Sequence, residues 1–196
     1  MNPSKILLTL LLAVSFVGGC TTPVPEARRE KFDLPVAAID QNPAEDFKEF
    51  FSKTLDQADR GNPDAMLNAG AIFLSGSKTL FGVDQVDANL DQSFFWYKKL
   101  SENPDAAIAS QGAKNAGFVL VQRYRSSHSP QDLDGGLEFL SKASKYDTGA
   151  LMLLSMYQVE FDRNSAVGQK NLAMLAQKGN DVAREFINQH SAGIGK

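Results

Sequence analysis

Several groups of side chains in the 196-residue chain have types and spacings that could do chemistry, and each lacks a part that its chemistry needs. Ser75-Gly76-Ser77-Lys78 matches S-x-x-K, in which a lysine amine activates a serine nucleophile. That arrangement needs a helix start at the serine and two further elements, S-D-N and K-T-G, and neither occurs in the chain, so the stretch reads as an inter-helix loop. His128 and His190 carry imidazoles that could ligate zinc, but neither has a second ligand at metal spacing, and the pattern puts both in loop or tail. Asp84, Asp87 and Asp91 could gather around a cation; the glycine and the terminal glutamate of a calcium loop are missing, and negative charge at a helix N-terminus accounts for them. Gly135-Gly136 is followed by neither Lys-Ser nor Lys-Thr, so it cradles no phosphate. The expectation is a protein with no catalytic residue, metal, cofactor or small-molecule substrate. A wall- or polysaccharide-acting enzyme stands as a minor alternative through Ser75 and Lys78.

Cys20 is the only cysteine, which rules out an internal disulfide and a thiolate zinc cluster, and its context gives it another use. Lys5 precedes the apolar run Ile6-Leu7-Leu8-Thr9-Leu10-Leu11-Leu12-Ala13-Val14, long enough for a secretion signal and short for a membrane span. Val17-Gly18-Gly19-Cys20 then resembles a bacterial lipobox, which implies cleavage before Cys20 and a lipid on its thiol. Residues 1–19 are therefore expected to be a signal peptide and Cys20 the lipidation site. Thr21, where aspartate would mark inner-membrane retention by resemblance, implies an outer-membrane lipoprotein facing the periplasm. The formal net charge of −3 gives no basic footprint for nucleic acid, and the scattered cations form no polybasic membrane patch.

Residues 20–42 carry Pro23, Pro25 and Pro35 among charges, without a helical apolar stripe, and are expected to be a tether. Residues 43–190 form the expected folded domain, with 191–196 a disordered tail. Asn42-Pro43, Asn62-Pro63, Asn103-Pro104 and Ser129-Pro130 each join an N-cap side chain to a proline suited to a first helical turn. Apolar stripes follow: Phe47, Phe50, Phe51, Leu55; then Leu90, Phe94, Tyr97, Leu100; then Leu133, Leu137, Leu140, Ala143. Nothing alternates with period two for long, so the domain is expected to be all-α, with about eight helices.

Two joints repeat. Ala58-Asp59-Arg60-Gly61-Asn62-Pro63-Asp64-Ala65 and Ala176-Gln177-Lys178-Gly179-Asn180-Asp181-Val182-Ala183 share A-x-x-G-N-x-x-A. In each, a left-handed glycine ends one helix, an asparagine caps the next, and an alanine allows close approach. Counting one residue per turn from the glycine gives Gly61, Ala65, Ala69, Phe73, then Gly112, Ala116, Leu120, Tyr124, then a degenerate Lys145, Gly149, Leu153, Tyr157. A repeat of about 34–40 residues suits a helix-pair solenoid. The joint, together with Gly70, Gly76, Phe81-Gly82-Val83 and Phe95-Trp96-Tyr97-Lys98-Lys99-Leu100, resembles Sel1-like repeats, relatives of the tetratricopeptide repeat. The resemblance covers Ala58 to Ala183. It departs from the family at Gly135, Gly136 and Leu100, where alanine is usual.

The resemblance implies a right-handed superhelical stack of antiparallel helix pairs that holds other proteins, similar to lipid-anchored scaffolds of polysaccharide export. Its partner-binding groove would carry Asp64, Leu67 and Ala71, then Asn115, Phe118 and Gln122, then Thr148, Leu151 and Ser155. Leu67, Phe118 and Leu151 either line that groove or fill the core. The aromatics Phe73, Trp96, Tyr97, Tyr124 and Tyr157 recur at the repeat spacing and are assigned to inter-helix packing. The expected function is a non-enzymatic adaptor for another envelope protein or peptide segment, held to the membrane by its N-terminal lipid. The alternative is an immunity or inhibitor lipoprotein that captures a toxin or lytic enzyme.

Overall fold

The computed structural model describes residues 43–191, and every regular element among them is a helix. In chain order these are α1 (Pro43–Asp59), α2 (Pro63–Ser75), α3 (Ser77–Phe81), α4 (Leu90–Ser101), α5 (Ala106–Ser127), α6 (Pro130–Ala143), α7 (Thr148–Glu160), α8 (Ser165–Gln177) and α9 (Asp181–Ser191). The helix beyond the expected eight is α3, a single five-residue turn in the connection between α2 and α4. Residues 1–42, with the expected signal peptide, Cys20 and tether, lie outside the described residues, as do 192–196. No described helix is long and apolar enough to cross a membrane.

The joints form because their side chains replace missing backbone partners. At the first, Gly61 takes φ +91°, its N–H donates to the Ala58 carbonyl at 3.1 Å, and Asn62 N–H donates to the Gln57 carbonyl at 3.0 Å. Asn62 Oδ1 then accepts the Ala65 N–H at 3.0 Å. At the second, Gly179 takes φ +90°, with the corresponding bonds at 3.1 Å and 3.0 Å and Asn180 Oδ1 accepting Ala183 N–H at 2.9 Å. Ala65 and Ala183 are fully buried, so each capped turn lies against its neighbour. Pro63 and Pro130 stand in the first turns of α2 and α6 as expected, but Ser129 makes no side-chain cap hydrogen bond at α6 and donates to Gln131 Oε1 instead. Asn103-Pro104 departs from the expectation: α5 is capped by Asp105, whose carboxylate accepts the Ala107 and Ile108 N–H groups, and Asn103 Oδ1 accepts the Asp105 N–H. The helix thus starts after the proline. His190, expected in the tail, belongs to α9 and stacks on Phe186 with ring centroids 3.8 Å apart.

Each helix packs against the next, apart from α3, which lies on α2 and leaves α2 free to pair with α4. Contacts run in reverse order along each pair, as antiparallel neighbours require: Phe73 accepts from Asn89 N–H, and Gly70 accepts from Ser93 Oγ. Small residues set the crossings. A methyl group added to Gly117 of α5 would stand 2.7 Å from the Gly136 carbonyl of α6, and one added to Gly168 of α8 would stand 2.6 Å from the Ser155 carbonyl of α7. A methyl group added to Gly136 would stand 3.0 Å from the Gly117 carbonyl and 2.9 Å from Val121 Cγ2, so glycine there is required by close contact with α5.

Small apolar clusters join neighbouring helices among the described residues. Ala58, Ala65, Met66, Ala69, Trp96 and Leu100 join α1, α2 and α4; Tyr97, Ala116 and Val119 join α4 to α5; and Ala113, Ala143 and Ala150 join α5, α6 and α7. The first and last described helices each bury one face. α1 buries Phe47, Thr54 and Ala58 and exposes Glu45, Asp46, Lys48, Glu49, Lys53 and Asp59, and α9 buries Ala183 and Phe186 while exposing Asp181, Arg184 and Glu185. A polar outer surface at each end keeps a stack from growing.

Candidate docking face

The helices α2, α5 and α7 are the first members of successive pairs, and the crossings give their common register. The carbonyls of Gly70, Gly117 and Ser155 each meet a small residue of the second helix, namely Ser93, Gly136 and Gly168. These are equivalent positions. The alignment makes Ala65, Gly112 and Ala150 equivalent too, each five residues earlier, and Asp147 caps Ala150 at 3.0 Å as Asn62 caps Ala65.

This register corrects the repeat read from sequence. Gly112 lies inside α5, one turn later than the joint glycine with which it was matched, because α5 begins at Ala106. Lys145 and Gly149 are one residue early, because the third joint is capped by Asp147. An α-helix turns 100° per residue, so a one-residue slip moves a side chain to a different face. The third set is displaced accordingly: Ser155 is fully buried at the crossing beneath Gly168 and donates its hydroxyl to the Leu151 carbonyl, while Thr148 and Leu151 share its side of α7.

In the structural register, Ala71, Phe118 and Met156 are equivalent, and Asn68, Asn115 and Leu153 lie beside them on the same face. Gln122 and Glu160 continue that face one turn on. Of the expected residues, Asp64, Ala71, Asn115, Phe118 and Gln122 therefore share it. Leu67 turns toward α5, where it packs against the cluster of Tyr97, Ala116 and Val119. Asp64 is exposed and Ala71 half-buried, but Asn115, Phe118, Leu153 and Met156 are only 7%, 4%, 8% and 9% exposed.

Two ion pairs fix α5 beside α7. Lys114 Nζ lies 2.7 Å from Asp147 Oδ2, with only 10% of the lysine side chain exposed, so one carboxylate both caps α7 and holds a cation of α5. At the other end Arg125 donates to both oxygens of Glu160 at 2.9 Å and lies over the rings of Tyr157 and Phe161. The sequence reading missed Lys114, Asp147 and Met156. The Asp at a cap position before Ala150 was the available signal, and the register was needed to use it.

Between these ion pairs lie polar atoms without hydrogen bonds. Gln122 Nε2, Tyr157 Oη and Gln158 Oε1 are buried and unpartnered among the described residues. Gln122 is close enough to Tyr157 to bear on its ionisation, yet the two form no bond of ordinary geometry. Burial drives the Tyr157 phenol well above the usual tyrosine range, Arg125 opposing this. The phenol is thus a neutral donor at any physiological pH.

The sets with catalytic spacing are used structurally. Ser75 ends α2 rather than starting a helix, and Lys78 pairs with Asp84 at 3.0 Å. Ser77, the other serine of that stretch, accepts the Gln85 and Val86 N–H groups and donates to the Val83 carbonyl, which folds the loop. Asp91 pairs with Arg123. No group of three or more metal-ligating side chains occurs among the described residues. The chain matches no protein-family model, no curated protein and no solved structure.

Proposed function

We propose that the protein is a non-enzymatic adaptor of the bacterial envelope, a Sel1-like superhelical stack anchored by lipid on Cys20 to the outer membrane and facing the periplasm. The observation that carries this reading is the repeated crossing of Gly70, Gly117 and Ser155, which sets three helices side by side and gives them one shared face. Such a face suits a helix or an extended segment of another envelope protein, since side chains from successive pairs contact one ligand in series. The lipobox Val17-Gly18-Gly19-Cys20 supports the address. A single myristoyl-length chain anchors only reversibly, at about 0.8 kcal/mol per buried methylene, so a durable anchor requires the multiple acyl chains of a lipoprotein.

The test combines anchor and face. Cys20→Ala is expected to move the protein from the membrane to the soluble fraction after salt washing; retention on membranes refutes the anchor. A photo-crosslinking residue at Ala71 or Gln122 is expected to capture one envelope protein reproducibly in cells. Capture equal to that from Ala173 on the exposed side of α8 refutes the docking face.

A further inference from the structure

We infer that α8 and the turn before α7 form a second membrane contact, a basic and apolar patch that rests on anionic phospholipid. Phe95, Tyr146, Val167 and Met174 are the large hydrophobic side chains that the described residues expose, and all but Phe95 are here: Tyr146 at 73%, Val167 at 52% and Met174 at 36%. A single exposed apolar side chain is ordinary, but a group of them marks a contact. The helical turn places Val167, Lys170, Met174 and the C-cap residue Lys178 within about 80° of one another around α8, away from the buried Gly168, Leu172 and Leu175. Following α8 forward from the Gly168 crossing, and α7 back from Ser155, brings Lys178 to the end of the stack that holds Lys145 and Tyr146.

The charge of the patch selects the surface. No described acid pairs with Lys145, Lys170 or Lys178, and α8 itself carries no acid. Acids nearby in the chain are engaged elsewhere: Asp147 with Lys114, Asp181 with Arg184, and Glu185 as the acceptor of Gln189. Asp162 is followed at once by the opposite charge of Arg163. Ammonium groups interleaved with exposed valine and methionine match a layer of phosphates above an acyl boundary, and tyrosine, with an apolar ring and a polar tip, suits that depth. These lysines are scattered in the sequence and gathered only by the fold. A patch of this size holds a bilayer only when something keeps it close, and the acyl anchor of the proposed function supplies that effective concentration. The inference rests on that anchor and leaves the first helices α2, α5 and α7 to the partner.

The test places the full-length acylated protein in phosphatidylcholine vesicles with or without phosphatidylglycerol. The fluorescent amino acid dansylalanine replaces Val167 or, as a reference, the exposed Lys53 of α1. Recovery with phosphatidylcholine vesicles reads the acyl anchor alone. Emission from position 167 is expected to be quenched by nitroxide-labelled lipid where phosphatidylglycerol is present and to lose that quenching at high salt, while position 53 is quenched in neither vesicle. Lys170→Gln is expected to lower the quenched fraction about fivefold, the worth of one cation near an anionic surface, with helical circular dichroism unchanged. Equal quenching at the two positions, or none at 167 in protein recovered with the vesicles, overturns the inference. Emission at 167 that shifts to the blue without lipid as protein concentration rises also overturns it, by assigning the patch to a second copy. Failure of recovery refutes the anchor instead, and quenching at 167 in excess phosphatidylglycerol vesicles then decides the patch by itself.

Discussion

Asn62 and Asn180 show one side chain deciding where a helix begins. Each accepts the N–H three residues on, with a left-handed glycine before it. Replacing either by alanine is expected to cost about 1 kcal/mol in urea unfolding, the usual worth of a cap. Ionisation at single residues gives a second expectation. Burial holds the phenols of Tyr97 and Tyr157 far above the ordinary range. The unfolded chain releases these protons near pH 10 while the native chain keeps them, so their contribution is intact below about pH 10 and falls as pH rises further. The loss approaches about 1.4 kcal/mol per tyrosine per pH unit. Urea midpoints between pH 8 and 11.5 are expected to follow this course, and Tyr97→Phe and Tyr157→Phe each to remove one share of the slope.

Between elements, approach distance and charge placement carry the packing. α5 and α6 meet backbone to backbone at Gly117 and Gly136, with Val121 and Leu140 filling the sides. Gly117→Ala or Gly136→Ala is expected to destabilise by about 1–3 kcal/mol, since the neighbour is main chain and cannot rotate aside. Gly61 has open space around it, so Gly61→Ala meets no neighbour and its cost is the left-handed backbone alone. The Lys114–Asp147 pair differs in kind because its two ends are unequal. Asp147→Ala removes the cap of α7 and leaves a largely buried ammonium, at an expected cost of about 3 kcal/mol or more. Lys114→Ala leaves Asp147 its cap and is expected to cost about 1–3 kcal/mol. Comparing the two variants by denaturant unfolding checks the order.

For the molecule as a whole, successive packing distributes stability unevenly. Residues 112–121 of α5 are buried without interruption, whereas among the described residues α1 and α9 each pack against a helix on one side only. Opening from an end disrupts one interface, and opening α5 disrupts those with α4 and α6 together. Amide hydrogen exchange is expected to be slowest at residues 113–121 and fastest in α9. Equal protection throughout would mark a single cooperative unit instead. The polar outer surfaces of α1 and α9 predict a chain that does not associate end to end, which sedimentation at rising concentration checks.

The sequence by itself determined what depends on near neighbours in the chain. The all-helical class followed from apolar spacing and from caps, and the joints at Gly61-Asn62 and Gly179-Asn180 were legible because all their hydrogen bonds run within a few residues. Face and register were not legible in the same way. Whether α5 starts at Asn103 or beyond Pro104, and whether the third joint centres on Lys145 or Asp147, shifts the count by a residue to a turn. Only the contacts of Gly117 with Gly136 and of Ser155 with Gly168 fix that count. They moved Ser155 from an expected groove to a helix crossing and brought Met156 into its place. Backbone hydrogen bonding sets how often a helix turns, but the direction in which a side chain points is decided by the neighbouring backbone against which the helix comes to rest.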